Sequence, residues 1–222
     1  MSKSKSRRQQ IKPQSTLRKN WLAYSAVAVL VLVAGYLIYT VVSGNSNAST
    51  GAKQWSSPPP MTVSAAKQYT AHIQTAKGTV NIQLLPKDAP IAVNSFVFLA
   101  RQHYFDGVTF HRVLPGFMAQ GGDPTGTGGG GPGYTFSNEI SPGLTFDAAG
   151  VVAMANTGQP NSNGSQFFIT YAAQPSLNGG YTIFGRVTSG MDVVQAITPR
   201  DPSANPNAPP GDKITTITID EQ

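Results

Sequence analysis

The chain has 222 residues, enough for one medium domain with extensions or for two small ones. Charged residues make up only 12%, about half the usual share of roughly 25%, while 40% apolar residues suffice for a core and exclude wholesale disorder. With no cysteine and three histidines outside any HExxH spacing, disulfides, thiolate metal sites, a cysteine nucleophile and a zincin motif are all excluded.

The net charge of +6 is a property of one end. Residues 1–20 hold seven Lys or Arg and no acidic group, and the other 202 residues carry nine basic and ten acidic groups. The body therefore has no basic patch to neutralise phosphates, and no nucleic-acid partner is expected.

Trp21 to Val42 follows as 22 residues without a charge. At 1.5 Å per residue it spans about 33 Å, enough for a hydrocarbon core of roughly 30 Å. Trp21 and Tyr24 flank one end, Tyr36 and Tyr39 the other. The cationic tail on the amino side puts the N-terminus in the cytoplasm and the remainder outside. The alternative is a cleaved signal peptide, whose apolar region is usually shorter, about 7–15 residues. Residues 43–66, rich in Ser, Gly, Asn, Ala and Pro, read as a linker. The expected organisation is a basic tail (1–20), a transmembrane helix (21–42), the linker (43–66) and a domain from 67 to 222. Asn47-Ala-Ser and Asn163-Gly-Ser match the glycosylation sequon, with chance occurrence favoured unless the host is a eukaryote.

From Tyr69 the pattern turns to β. Tyr69–Gln74 and Thr79–Leu84 alternate about a turn at Lys77-Gly78, a hairpin. A helix follows from Pro90 to about Tyr104, with Asp88 as its cap and Val93, Phe96, Val97 and Ala100 on its core face. Short apolar runs come next at 108–114, 151–155, 166–170, 181–187 and 214–219, with a second short helix at 191–197. Many short strands with two helices indicate a barrel or a sandwich rather than a βαβ sheet. Gly126-Thr-Gly-Gly-Gly-Gly131 satisfies GxGxxG literally, but no helix can start at Gly131-Pro132-Gly133, so it reads as a flexible surface loop rather than a dinucleotide site. Ser165 lies outside any nucleophile elbow. Proton-transfer and metal chemistry are poorly supplied.

Two segments carry more. Phe110-His-Arg-Val-Leu-Pro-Gly-Phe-Met-Ala-Gln-Gly-Gly-Asp123 is one, and Met154-Ala-Asn156 with Asn163-Gly-Ser-Gln-Phe-Phe-Ile-Thr170 is the other. With Leu177-Asn-Gly-Gly-Tyr-Thr-Ile-Phe-Gly-Arg-Val187 they resemble, in order, the cyclophilin family of peptidyl-prolyl cis–trans isomerases, over about Tyr69 to Ile219.

The resemblance implies a mainly β fold, an eight-stranded antiparallel barrel capped by two helices, here preceded by one transmembrane helix. It implies a membrane-anchored, bacterial-like member that isomerises X–Pro bonds and assists the folding of exported proteins, without a cofactor. A non-catalytic proline-peptide binding module at the membrane is the alternative. Arg112 matches the family's catalytic arginine and Gln120 the glutamine beside it. Phe117, Met118, Phe168 and Leu177 match the pocket for the proline ring, and Ala155 and Asn156 the segment that pairs with the substrate backbone. Gly126 matches a glycine of the neighbouring loop, which is shorter here than in many relatives. Phe110, Val113, Phe167 and Ile169 are expected in the core, and His111 as a satisfied structural histidine.

Two positions depart from many eukaryotic members: Ser176 replaces a tryptophan, and Tyr181, still an aromatic pocket-rim residue, replaces a histidine. The missing indole implies weak binding of cyclosporin. Gln159 reads as a one-residue insertion beside the groove. The implied partners are proline-containing polypeptides and the membrane, with a monomeric catalytic domain.

Overall fold

The computed structural model of the chain describes residues 53–222. The apolar stretch 21–42 lies outside the described residues, and among the described residues no helix is long and apolar enough to cross a membrane. The described residues contain eight strands: β1 (Tyr69–Thr75), β2 (Gly78–Leu84), β3 (Arg112–Leu114), β4 (Met118–Gly121), β5 (Val151–Met154), β6 (Phe167–Thr170), β7 (Ile183–Ser189) and β8 (Ile214–Glu221). They form one sheet in the order β3-β4-β6-β5-β7-β2-β1-β8, with antiparallel neighbours throughout. The sheet curls into a half-barrel. The segment before β3 meets the start of β8, where the Phe110 amide donates to Asp212 O at 2.9 Å and the Ile214 amide to Val108 O at 2.8 Å. The barrel expectation is thus met by a curled sheet whose two ends touch through irregular chain rather than through a continuous ladder.

Period-two patterning decides which face is inside. In the opening hairpin, Ala71, Ile73, Val80, Ile82 and Leu84 point into the core. Helix α1 (Pro90–Arg101) lays Val93, Phe96, Val97 and Ala100 against that face. Phe96 packs against Phe105, Phe167 and Phe184 with centroids 5.2–5.5 Å apart. The short helix α2 (Met191–Gln195) adds Val193 and Val194. Phe110, Val113, Phe167 and Ile169 all lie in this core.

Several local expectations give way to long-range contacts. Asp88 does not cap α1. The N-cap is Ala89, with Pro90 opening the helix. The free amides of Ile91 and Ala92 donate instead to the two Glu139 carboxylate oxygens, at 2.9 and 2.8 Å. A carboxylate there also suits the positive end of the helix dipole. Asp88 accepts from the Ser141 hydroxyl at 2.7 Å. The helix stops at Arg101, short of Tyr104, because His103 turns left-handed (φ 55). Its amide bonds Ala100 O and the Tyr104 amide bonds Leu99 O, closing a Schellman turn. β4 has only four residues between glycine-rich turns and no pattern of its own; pairing with β3 and β6 makes it a strand. Asn163 is fully buried, its amide donating to Asn138 Oδ1 at 3.0 Å, so the second sequon is closed to a glycan in the folded chain.

Candidate functional site

The side chains that alternate with the core residues face outward across β3, β4, β6 and β5. Register places Arg112 opposite Gln120, Gln120 opposite Phe168, and Phe168 opposite Ala153. The same alternation divides the Phe167-Phe168 pair. Phe167 is sealed in the interior, while Phe168, 5% exposed, belongs to a separate outer cluster with Met118, Phe146, Val151, Ala153 and Ile183.

On this face lies a cavity of about 140 Å³. Arg112, Phe117, Met118, Gln120, Ala155, Asn156, Phe168, Leu177 and Tyr181 line it. All nine residues singled out in the sequence are therefore brought together, although they span 70 positions of chain. Phe168 forms the floor, stacked on Phe146 (5.9 Å, 11°) and met edge-on by Tyr181 (5.4 Å, 89°). Leu177 reaches the rim from a 3-10 turn, Pro175–Leu177, and Ser176 beside it is exposed. Gly126 does not line this cavity.

Arg112 lines the cavity and takes part in none of the ion pairs or side-chain hydrogen bonds among the described residues. The Asn156 side chain is committed to the protein: its amide donates to Gly180 O at 2.9 Å and its oxygen accepts from the Gly158 amide at 2.9 Å. That fixes the Ala155–Asn156 backbone along the groove. The arrangement can grip a small apolar ring and present hydrogen-bond donors to its polar edge. It offers no nucleophile and no paired carboxylates.

A family profile described as cyclophilin type peptidyl-prolyl cis-trans isomerase/CLD matches residues 70–219. The chain belongs to the cyclophilin family of peptidyl-prolyl cis–trans isomerases. It is similar to a peptidyl-prolyl cis-trans isomerase-like 1 of Rhizopus delemar, 52% identical over 126 residues, which are 55% of this chain and 76% of that protein. A peptidyl-prolyl cis-trans isomerase of Arabidopsis thaliana is 48% identical over 128 residues, 56% of this chain and 77% of that protein. Among solved structures, a cyclophilin type isomerase of Cryptosporidium parvum matches with a TM-score of 0.63 at 38% identity, covering 69% of this chain and 98% of that one. The same protein in the presence of the dipeptide Ala-Pro matches at 0.62 and 39% identity, covering 68% and 98%. These curated relatives are fungal and plant proteins and lend no support to a bacterial-like placement.

Two residues beyond the nine bear on the groove: Phe146 packs behind the small cavity, and Gln166 holds Gln120 beside it. Phe146 supports both Phe168 and Tyr181 from below. It sits in an irregular segment with no periodic partner, so the sequence offers no signal for it. Gln166 was legible: it lies two residues before Phe168, on the same side of the extended chain. Its carbonyl oxygen accepts from the Gln120 amide at 2.9 Å, and its own amide donates to Gly128 O and Gly130 O at 2.9 and 3.0 Å.

The glycine loop is not free chain. Asp123, fully buried, accepts from the Thr125 amide (2.7 Å), the Thr127 amide (3.1 Å) and the Gly128 amide (2.6 Å). Burial acts to raise its pKa, but hydrogen bonding led by the Thr125 amide and hydroxyl, with Gly130 and Gly128, outweighs it and holds the carboxyl below its ordinary value. A Cβ on Gly130 would collide with Asp123 Oδ1, so the loop needs glycine there.

His111 is buried as expected but not satisfied. It is 2% exposed, and neither ring nitrogen has a hydrogen-bond partner. Burial lowers its pKa against the pull of Asp123, and Arg200 and Arg112 lower it further. The folded state therefore resists a proton that the unfolded chain accepts below about pH 6.5, so stability falls as pH drops through that value, by up to ~1.4 kcal/mol per pH unit. His72 acts oppositely: hydrogen bonds to Asn81 and Asp220 raise its pKa over the effect of burial, so its contribution is largest at low pH. Denaturant titrations of the parent and of His111→Leu between pH 7 and 5 separate the two. The parent should lose more stability on acidification than the variant; equal losses would show that His111 takes up its proton freely.

Proposed function

We propose that the groove isomerises X–Pro bonds in polypeptide clients, with Arg112 as the catalytic residue and Gln120 beside it. Amide resonance sets a barrier of about 18–20 kcal/mol to rotation. In the twisted transition state the proline nitrogen becomes pyramidal and more basic. A guanidinium held over the pocket can donate to that nitrogen and steady the adjacent carbonyl oxygen, a stabilisation absent from the planar ground state. Phe117, Met118, Phe168, Leu177 and Tyr181 hold the ring while the chain on the other side turns, and the fixed Ala155–Asn156 backbone aligns the client. Nothing in this route requires a cofactor. The observation that carries it is a guanidinium with no side-chain partner among the described residues, on the wall of a cavity of about 140 Å³ that Phe117, Met118, Phe168 and Leu177 also line. The Ala-Pro dipeptide used with the Cryptosporidium parvum relative suits the same cavity.

The finer reading rests on the sequence. The uncharged run 21–42 behind a cationic tail supports a single-pass anchor, with a monomeric isomerase domain on the extracytoplasmic side acting on exported chains. Ser176, exposed at the rim, supplies no indole for cyclosporin. Inhibition of the chain by cyclosporin is expected to be weak, and inhibition at nanomolar concentration would contradict this.

Exchange spectroscopy on an Ala-Ala-Pro-Phe peptide tests the activity. The full chain should accelerate cis–trans exchange at catalytic concentration. A folded chain that binds the peptide without accelerating exchange would instead be a membrane-tethered binding module.

A further inference from the structure

The stretch read as a linker is docked on the domain from Lys53 onward. The Lys53 ammonium donates to Gln102 O, and the Trp55 amide donates to Pro132 O at 2.9 Å. The Trp55 indole packs edge-on to Phe98 (5.1 Å, 71°) and against Tyr104 (5.9 Å, 48°). Further along, the side chain of Asn94, 3% exposed on α1, spends both its ends on this strap. Its oxygen accepts from the Thr62 and Val63 amides at 2.8 and 3.2 Å, and its amide donates to Pro60 O at 3.0 Å. A buried amide left without these partners is costly, so the strap is a built part of the fold.

What the strap holds is a wall of the groove. Gly129–Gly133 forms one side of a second cavity, of about 720 Å³, which shares Gln120, Ala155 and Asn156 with the proline pocket. Trp55 lies directly behind this wall: a Cβ on Gly133 (φ +89) would stand 2.6 Å from Trp55 O. Gln166 grips the same loop from the other side. Gln54 lines the cavity itself. The lining offers amides and hydroxyls and no charged side chain.

We propose that the strap is a specificity element of the substrate groove. Gln54 contacts a client side chain close to the X–Pro bond, Trp55 positions the glycine wall opposite it, and together they favour an uncharged hydrogen-bonding side chain such as Gln or Asn over a charged one. The proposal rests on the groove being the client site, and its test is separable from that reading. Hexapeptides with a central Ala-Pro and Gln, Glu or Leu at either flank are titrated into the full chain, with binding followed by protein NMR shifts. The dipeptide Ala-Pro, too short to reach the second cavity, serves as the reference.

The parent should prefer Gln to Glu by about tenfold at one flank, the scale of one well-matched polar contact. Gln54→Ala and Trp55→Ala should reduce that preference to about twofold or less, and Trp55→Phe should restore part of it. The proposal is overturned if the parent shows no preference, if both alanine variants keep it, or if dipeptide affinity falls in the same proportion as hexapeptide affinity. A chain with strap-dependent preference but no acceleration of exchange would defeat the isomerase reading and leave this one standing; catalysis without preference would do the reverse.

Discussion

Replacing Arg112 with alanine lowers kcat/KM on an Ala-Ala-Pro-Phe peptide by about 10²-fold or more, roughly 2.7 kcal/mol of transition-state stabilisation. The fold should be indifferent to the change. Arg112 is half-buried on a three-residue edge strand and no ion pair or side-chain hydrogen bond among the described residues depends on it. The thermal midpoint should therefore stay within about 2 °C of the parent, as for a substitution that removes no packed contact. Arg112→Lys separates charge from geometry. Lysine keeps the charge but loses the planar fork that can reach a ring nitrogen and a carbonyl oxygen together, so it should fall nearer to alanine than to the parent. Activity within about twofold of the parent for Arg112→Ala would remove the arginine from the chemistry.

The largest stability effect should come from Phe167→Ala, at about 3–5 kcal/mol. Phe167 is fully buried and meets Phe96, Phe105 and Phe110 nearly at right angles, with centroids 5.5, 5.9 and 6.3 Å away. Truncation would remove three edge contacts and leave a cavity bounded by rings from α1 and the barrel wall, which cannot collapse together. For a domain of this size the thermal midpoint should drop by roughly 6–20 °C. The neighbouring Phe168→Ala is the control. It opens on the groove, so it should cost less stability and more peptide affinity. Equal thermal losses at the two positions would contradict the division of this pair between core and site.

That division was legible because it needs only period-two alternation and a motif long enough to be recognised. The opening hairpin and the core face of α1 were legible for the same local reason. Glu139 as the cap of α1 was not, since its partners are 48 and 47 positions away and Asp88 offers a plausible local cap. β4 was invisible because four residues between glycines carry no period. The glycine-rich loop reads as mobile from composition, yet one buried carboxylate, Asp123, organises it. The strap was missed for the converse reason: Ser and Pro composition says nothing of Asn94 and Pro132, which hold it. At the site, motif resemblance found the lining residues, whereas Phe146, which only supports them, lies in no motif.

The central claim is that this groove catalyses X–Pro rotation through Arg112. Its most direct test is exchange spectroscopy on one Ala-Ala-Pro-Phe sample, with the parent chain and then Arg112→Ala at equal concentration, both shown folded by their amide dispersion. The account predicts cis–trans exchange cross-peaks within a mixing time of about one second for the parent, where the free peptide takes tens of seconds. It predicts their loss for the variant. Equal cross-peaks from both proteins, or none from either, would contradict it.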